Sequence, residues 1–358
     1  MQQVVKGDEL VYLNISMTYA ITSSLVLVAC TLLLLIPRLA ITVSMRQQHT
    51  ISQSMTCSGV GLHTGQPVTL TLRPAPPETG IVFVRHEADG PISLGASIGN
   101  LVPTELCTAL SSNGTYVKTV EHVLSALVGL EVDNVYVELD AGEVPVMDGS
   151  AGPFVRLIRT AGIVAQDRRR PFLKITQPIE VKDGNRRVVI EPATSTRITY
   201  SIHYEHPLIR KQTYTYDWSV SGFEQDIADA RTFGFLKEVE NLWSRGLGRG
   251  GSLENTIVLS EQGVLNESGL RYHDEFVRHK ILDLIGDLAL LGVPFIGHLI
   301  ADRSGHALHT MLVEKVLEQT DKWILVGAEE GPLGAPSRSA RSPYGHVPTA
   351  PLPVSSTL

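Results

Sequence analysis

Alternating apolar and polar residues predict β-strands in both halves of the chain. In residues 68–73 (VTLTLR) every second side chain is apolar, the pattern of a strand with one buried face. Pro and Gly at Pro145, Gly149, Gly152 and Pro153 predict turns. The alternating pattern predicts further strands at residues 81–85, 134–139, 173–175, 179–181, 187–190, 197–204 and 295–301.

Apolar residues at helical spacing predict helices between these strands. Residues 118–128 carry a stripe of apolar side chains, with Thr119 as the N-cap. Further helices are predicted at residues 274–291 and 307–317, and a short one within the Gly-rich insertion 230–264. Strands precede helices within each half, and this order favours an α+β fold over a doubly wound parallel sheet.

A basic run without apolar periodicity, residues 167–171 (DRRRP), is the predicted linker between two domains. Domain I is expected at residues 45–168 and domain II at residues 169–330, with 230–264 as an insertion in domain II. Since both halves begin with strands and continue with helices, we expect the two domains to share one plan.

The two ends differ in composition from the region between them. Residues 10–37 contain no charged residue and are long enough to span a bilayer as a membrane anchor. Positive charges after them would keep the rest of the chain in the cytoplasm. Alternatively, Met45 starts the working protein and residues 1–44 are an upstream extension. Residues 331–358, rich in Pro, Ser and Gly, are predicted to be a disordered tail.

Charge and cysteine content exclude some classes of function. A net charge of -7, with no Lys/Arg-rich patch, argues against a nucleic-acid partner. Cys30, Cys57 and Cys107 are too few and too scattered for a disulfide framework or a thiolate zinc site. A reducing compartment is therefore expected.

The predicted helix at residues 274–291 carries four acidic or imidazole side chains at intervals of four residues: Glu275, His279, Asp283 and Asp287. Residues four apart lie on one helical face, so His279 and Asp283 can reach a single metal ion. The alternative is a solvated polar face that contains one ordinary histidine.

A second group of candidates lies in other elements. The neighbours Glu121 and His122 point about 100° apart on a helix, so one can bind a metal while the other acts as a base. The alternative is a surface pair at a helix end. His306 follows a predicted strand, where catalytic groups are common. Ser150, in Gly-Ser-Ala-Gly, lacks the G-x-S-x-G pattern of a nucleophilic serine and is assigned to a turn.

These segments together resemble one family, the UDP-3-O-acyl-N-acetylglucosamine deacetylases of lipid A biosynthesis. The resemblance extends over about residues 45–317. The matching stretches are SGVGLHTGQPVTLTLRPAP (58–76), TELCT (104–108), TVEHVLSALVGLEVDNVYVEL (119–139), EVPVMDGSAGPFV (143–155), ARTFGF (230–235), LNESGLRYHDEFVRHKILDLIGDLALLG (265–292) and SGHALH (304–309).

The resemblance implies a role for each matching position. One catalytic Zn²⁺ would be held by His122, His279 and Asp283, and Fe²⁺ could substitute for it because His₂Asp ligation tolerates both. The resemblance further implies a general base (Glu121), a general acid or oxyanion partner (His306) oriented by Asp287, an oxyanion donor (Thr232), a residue near polar groups of the substrate (Lys280), and substrate-binding residues (Leu106, Cys107, Phe233, His63).

The resemblance also implies the fold and the reaction. Each domain would be a layered β-sheet/helix sandwich with a βαβ-type insertion, and the active site would lie at the domain interface. The enzyme would release acetate from a UDP-linked acylated aminosugar, the committed step of lipid A biosynthesis. Insertion 230–264 would help form the passage for the acyl chain.

Cellular context and alternative functions follow from the same comparison. Family members usually begin about a dozen residues before GVGLHTG, which favours Met45 as the start. The protein is expected in the cytoplasm, and nothing in the sequence demands more than a monomer. Membrane contact is expected only if residues 10–37 are a real anchor, at the inner face of the inner membrane. One alternative is a hydrolase of the same fold acting on another N-acyl sugar. The other is a non-catalytic, membrane-tethered carbohydrate- or lipid-binding protein.

Overall fold

The structure is a computed structural model, and it describes residues 46–328 of the 358-residue chain. The expectations for residues 1–44, for a start at Met45 and for the tail at 331–358 lie outside the described residues. Within residues 46–328, no helix is long and apolar enough to cross a membrane.

Strands make up most of the regular structure. The first half contains β1 (Gln47–Ile51), β2 (Met55–Val60), β3 (Pro67–Pro74), β4 (Ile81–Glu87), β5 (Gly90–Gly95), β6 (Leu101–Val102), β7 (Ala109–Ser112), β8 (Thr115–Lys118), β9 (Val135–Leu139) and β10 (Ile163–Arg169). The second half contains β11 (Phe172–Ile175), β12 (Ile179–Asp183), β13 (Arg186–Glu191), β14 (Arg197–Tyr204), β15 (Arg210–Asp217), β16 (Phe233–Phe235), β17 (Ile257–Leu259), β18 (Phe295–Ile296), β19 (His298–Asp302) and β20 (Trp323–Val326).

Helices occur in both halves. They are α1 (Glu121–Gly129), α2 (Gly152–Ala161), α3 (Val220–Gly222), α4 (Leu236–Ser244), α5 (Glu275–Leu288) and α6 (His306–Glu318). A π-helical segment, Phe223–Ile227, follows α3, and short 3₁₀ segments lie at Ile98–Asn100, Ala289–Leu291 and Thr320–Lys322.

The two halves repeat one sheet topology. The first half forms a five-stranded sheet of order β2-β3-β9-β4-β5, and the second half one of order β12-β13-β19-β14-β15. In both sheets only the pair formed by the third and fourth strands is parallel. The shared plan of the halves and the α+β fold class are therefore confirmed. The boundary between domains at residues 168 and 169 stays a prediction.

Each sheet buries one face, as the alternating pattern predicts. In β3 the side chains of Val68, Leu70 and Leu72 are buried, while the threonines between them are half-buried. These buried faces belong to one apolar cluster that includes side chains from both halves. The helix that precedes the middle strand of each sheet, α1 or α5, lies against its counterpart from the other half.

The contact between α1 and α5 is close enough to require a glycine. A Cβ atom at Gly286, in α5, would lie 2.1 Å from the carbonyl oxygen of Glu121, in α1. No side chain fits in that space, so the two backbones touch directly. This contact fixes how far the side chains of the first turn of α1 stand from those of α5.

The two halves differ in their insertions. In the second half, β16 and β17 are parallel and joined through α4, so the predicted βαβ insertion is confirmed there. In the first half the corresponding segment is the antiparallel sheet β6-β7-β8, and the prediction of a βαβ unit is wrong. The turn between β7 and β8 is Asn113-Gly114, with φ of 50° and 81°, and this turn type favours a hairpin.

Two local expectations are also corrected. Thr119 does not cap α1: its φ is 58°, the N-cap is Val120, and the Thr119 hydroxyl donates to Glu143. Gly152 and Pro153 open α2 instead of forming a turn, because proline suits the first helical turn.

The predicted linker at residues 167–171 is ordered structure. Most of it belongs to β10, which pairs with β1. The Arg170 guanidinium, whose side chain is 4% exposed, lies 2.7 Å from the Asp133 carboxylate and 3.3 Å from that of Glu131. Arg170 thus holds this segment against the first half through ion pairs. Apolar periodicity does not reveal such pairs.

Replacement of Gly286 by alanine tests the contact between α1 and α5. The new methyl group must push the two helices apart, and overpacking of this kind costs about 1–3 kcal/mol or more. Gly263→Ala is the control, because a Cβ there meets nothing within 4 Å. We expect the thermal midpoint of Gly286→Ala, followed by circular dichroism, to fall clearly below that of Gly263→Ala. Equal midpoints would contradict the close contact.

Candidate active site

The structure gathers the chemically active side chains at the contact between α1 and α5. Glu121 and His122 lie in the first turn of α1, and His279 and Asp283 lie one turn apart on α5. All four are buried, with exposures of 3%, 4%, 1% and 2%. The alternatives of a surface Glu-His pair and of a solvated polar face are therefore wrong.

Three of these side chains form a compact group of metal-ligand type. One ligand atom each from His122, His279 and Asp283 lies within 4.8 Å of the others. Asp283 Oδ1 is 3.2 Å from His279 Nε2 and 3.6 Å from His122 Nε2. Ligand atoms placed 2.0–2.1 Å from a tetrahedral zinc ion are about 3.3 Å apart, so the spacing suits such an ion.

The protonation of this group also suits a metal. His279 Nδ1 lies 3.0 Å from the carbonyl oxygen of Ala230, which is an acceptor, so the Nε2 lone pair is left for a ligand. Burial lowers the pKa of His279 to about 3 and keeps the ring neutral. Burial opposes ionisation of Asp283, but His279 and Lys280 hold its pKa well below the usual range. A neutral His279 imidazole and an ionised Asp283 carboxylate are suitable donors for zinc.

Glu121 lies beside this group with the environment of a base. Its Oε2 accepts a hydrogen bond from the backbone N–H of Thr108 at 3.0 Å. Burial raises the pKa of Glu121, although the nearby His306 and His122 oppose this shift. A carboxylate with a raised pKa takes up a proton more readily at neutral pH than an exposed one.

His306 is the first residue of α6 and is held by Asp287. Its Nδ1 lies 2.8 Å from Asp287 Oδ2, and the Thr108 hydroxyl donates to the other carboxylate oxygen at 2.5 Å. Burial disfavours the charged ring, but Asp287 outweighs it, and the pKa of His306 rises to about 9. His306 is therefore a cation at neutral pH, with Nε2–H left to meet a substrate.

Lys280 and Phe233 lie next to the metal-ligand group, and Thr232 lies close to it along the chain. Lys280 Nζ is 2.7 Å from Asp283 Oδ2, which leaves Oδ1 of that carboxylate towards the histidines. The Phe233 ring centroid is 6.5 Å from that of His279 and 5.7 Å from Lys280 Nζ. Thr232 follows Ala230 by two residues, and its N–H donates to the carbonyl oxygen of Gly149 at 2.8 Å.

The other predicted substrate contacts come from the first half. Leu106 is 57% exposed and has a φ of 64°, whereas its neighbour Cys107 is buried. Burial raises the pKa of the Cys107 thiol to about 11, so the thiol is neutral. His63 is 6% exposed, and neither of its ring nitrogens has a hydrogen-bond partner within the described part of the chain.

Some residues of the site carry no obvious signal in the sequence. Thr108 contacts both Glu121 and Asp287, yet it is one threonine in the motif TELCT. His309 Nδ1 lies 2.7 Å from Asp287 Oδ2. The helix predicted at 307–317 starts one residue later than α6, so it does not include His306. On α6 a spacing of three residues places both rings on one face.

A buried ion pair supports the segment that contacts His279. The Arg231 guanidinium lies 2.9 Å from the Glu275 carboxylate, and the Arg231 N–H also donates to it at 3.0 Å. Glu275 is fully buried at the start of α5. Since Ala230 and Thr232 flank Arg231, this pair fixes both of them relative to α5. The sequence contains both charges but not their pairing.

Comparison with known proteins agrees with this geometry. Residues 48–318 match the family described as UDP-3-O-acyl N-acetylglycosamine deacetylase. A UDP-3-O-acyl-N-acetylglucosamine deacetylase of Myxococcus xanthus is 49% identical over 286 residues, 80% of this chain and 91% of the relative. One from Syntrophus aciditrophicus is 45% identical over 276 residues, 77% of this chain and 88% of the relative. The chain belongs to the UDP-3-O-acyl-N-acetylglucosamine deacetylase family.

Proposed function

We propose that this protein hydrolyses the N-acetyl group of a UDP-3-O-(3-hydroxyacyl)-N-acetylglucosamine and releases acetate, the reaction that commits the sugar to lipid A. The observation that carries the proposal is the buried group His122, His279 and Asp283 beside Glu121 and His306, in a chain of this family. An amide is a poor electrophile, and this set offers a metal, a base and an acid around one position.

The family is zinc-dependent, and the donor set of this chain fits zinc. His122, His279 and Asp283 would hold one ion, and Fe²⁺ suits the same ligands. When bound, zinc supplies a Lewis acid that lowers the pKa of water and polarises the amide carbonyl. Two of the ligands are also oriented by hydrogen bonds to other residues. The Ala230 carbonyl accepts from His279, and Lys280 donates to Asp283.

The proton transfers are assigned to Glu121 and His306. Glu121, aimed by the backbone N–H of Thr108, takes a proton from the attacking water. His306 then gives the proton on Nε2 to the nitrogen of the leaving amine, while Asp287 keeps the ring in place. This division of labour needs one group that starts as a base and one that starts as an acid. The Glu121 carboxylate fills the first place and the His306 imidazolium the second.

The remaining contacts are assigned to the oxyanion and the substrate. Thr232 would donate to the oxyanion that develops on the former carbonyl, and Lys280 would lie near polar groups of the sugar nucleotide. His63 has two buried ring nitrogens without a hydrogen-bond partner among residues 46–328, so a polar ligand group would satisfy them. Leu106, Cys107 and Phe233 would contact the substrate, with insertion 230–264 lining the passage for the acyl chain.

The organisation of the working protein is proposed along with the reaction. The halves would act as two domains, 45–168 and 169–330, since each contains one five-stranded sheet. A monomer in the cytoplasm would suffice, because both halves of the site come from one chain and the substrate is a nucleotide sugar.

Glu121→Gln tests the general base. We expect kcat to fall about 10²–10⁴-fold, because general acid–base catalysis contributes about that much. Zinc content, measured on the full-length protein, should stay near one ion per chain. Glu314→Gln, an exposed change on α6, is the control. Normal acetate release by Glu121→Gln would contradict the assignment of Glu121 as the base. If the unmutated protein binds no zinc, the non-catalytic carbohydrate- or lipid-binding alternative is favoured.

Asp287→Asn tests the assignment of the acid through pH dependence. The pKa of His306 is raised, so its proton is present below that pKa and is lost as the pH rises through about 9. The positive charge of a bound metal opposes protonation of His306 and moves the pH at which the proton is lost to a lower value. Removal of the Asp287 charge should shift the basic limb of kcat/KM to lower pH by about one unit or more. An unmoved basic limb would show that another group titrates there.

The substrate class is tested with sugars that differ in one group. UDP-N-acetylglucosamine with and without a 3-O-acyl chain should differ in kcat/KM by several orders of magnitude, because each buried CH₂ contributes about 0.8 kcal/mol. Acetate release is the readout, and chelation of the metal should abolish it for both sugars. Comparable turnover of the two sugars would favour a hydrolase that acts on another N-acyl sugar.

A further inference from the structure

The Asp287 carboxylate has a second imidazole donor that the proposed reaction does not use. Asp287 is fully buried, and its Oδ2 lies 2.8 Å from His306 Nδ1 and 2.7 Å from His309 Nδ1. Oδ1 accepts from the Thr108 hydroxyl at 2.5 Å. His306 is partly exposed towards the site, whereas His309 is completely buried behind it.

The contacts of His309 fix its tautomer. Its Nδ1 faces a carboxylate, which can only accept, so Nδ1 carries a proton. Its Nε2 lies 2.9 Å from the Ser304 hydroxyl and 3.1 Å from that of Tyr200. Since the Tyr200 proton is directed at the Ser304 carbonyl, the Ser304 hydroxyl is the donor available to Nε2. Burial lowers the pKa of His309, in keeping with a neutral ring. His309 therefore donates one neutral hydrogen bond to Asp287.

The far side of His309 is anchored in the second sheet. Tyr200 lies in β14, is fully buried, and its hydroxyl donates to the Ser304 carbonyl at 2.8 Å. The Ser304 hydroxyl is 2.7 Å from the Tyr200 hydroxyl. A continuous set of hydrogen bonds thus runs from β14 through His309 to Asp287 on α5, and from there to His306.

A carboxylate held by few donors can rotate, because the terminal torsion of aspartate is broad and roughly two-fold. Thr108 donates to Oδ1, and His309 donates to Oδ2 from a fully buried position. Of the two histidines bound to Oδ2, His306 is the one that is partly exposed. Because His309 is neutral, it orients Asp287 without adding a second positive charge to the buried pair of Asp287 and His306.

We propose that His309 is a positioning residue for the hydrolysis. It holds Asp287 Oδ2 in the orientation that keeps His306 Nδ1 bound and Nε2 directed at the leaving group. His309 touches neither the substrate nor the metal-ligand group, and it acts through Asp287. The inference rests on the role of His306 proposed above.

Two amide replacements separate positioning from simple packing. In His309→Asn the amide nitrogen lies near the position of Nδ1 and can still donate to Asp287. In His309→Gln the amide lies near the position of Nε2 and reaches Ser304 and Tyr200 instead. We expect kcat to fall about 10–100-fold in His309→Gln, as for other groups that orient a reacting side chain, and to stay within about threefold in His309→Asn. KM, zinc content and thermal midpoint should change little in both variants of the full-length protein.

The same two changes are then made in a His306→Ala background. Since His309 acts through His306, we expect His309→Gln to cause no further loss of kcat there. Should His309→Gln prove unstable, Ser304→Ala tests the same hydrogen bonds. We expect Ser304→Ala to cause a smaller loss of kcat, and no loss when it is made in the His309→Asn background.

Three results would overturn the inference: unchanged kcat in His309→Gln, equal losses in the Asn and Gln variants, or additive losses in the His306→Ala background. Full turnover by His306→Ala alone would instead refute the proposed role of His306. The two failures are therefore distinguishable.

Discussion

The direct contact between the backbones of α1 and α5 is the constraint on which the rest of the site depends. Gly286 leaves no room for a side chain against the Glu121 carbonyl oxygen, so the helices are held at a fixed short separation. His122 from one helix then meets His279 and Asp283 from the other. Each half of the protein supplies a sheet and a helix, and the site exists only where those helices touch.

That contact carries a cost, since it buries several ionisable side chains together. An isolated buried charge is unfavourable, and three of the buried carboxylates here are matched by a specific partner. Asp283 has Lys280, Asp287 has His306, and Glu275 has Arg231. Because each partner is also fixed by its own contacts, the carboxylates cannot easily reorient, and the site is organised before substrate arrives.

The repeated topology supplies a common scaffold in the two halves, and the inserted segments supply residues of the site. Both sheets have the same strand order and the same single parallel pair, yet the inserted segments differ. The first half inserts an antiparallel sheet that leads into Thr108 and α1. The second half inserts a βαβ unit whose first strand follows Thr232. Similar layers thus supply the scaffold, while the unlike insertions carry residues that reach the site.

The sequence by itself determined the strands with alternating polarity, the long helices, and the His279 and Asp283 pair, because these depend on periodicities of two and about four residues. The resemblance to a family assigned roles to His122, Glu121 and His306, which spacing alone left as candidates. Only the tertiary structure decided that these residues are buried together, that residues 167–171 form part of a strand, and that His309 lies behind Asp287. Those facts depend on contacts between residues more than 20 positions apart, such as Asp287 and His309. Local patterns describe which face of an element is apolar, and they contain no information about which distant side chain will satisfy a buried charge.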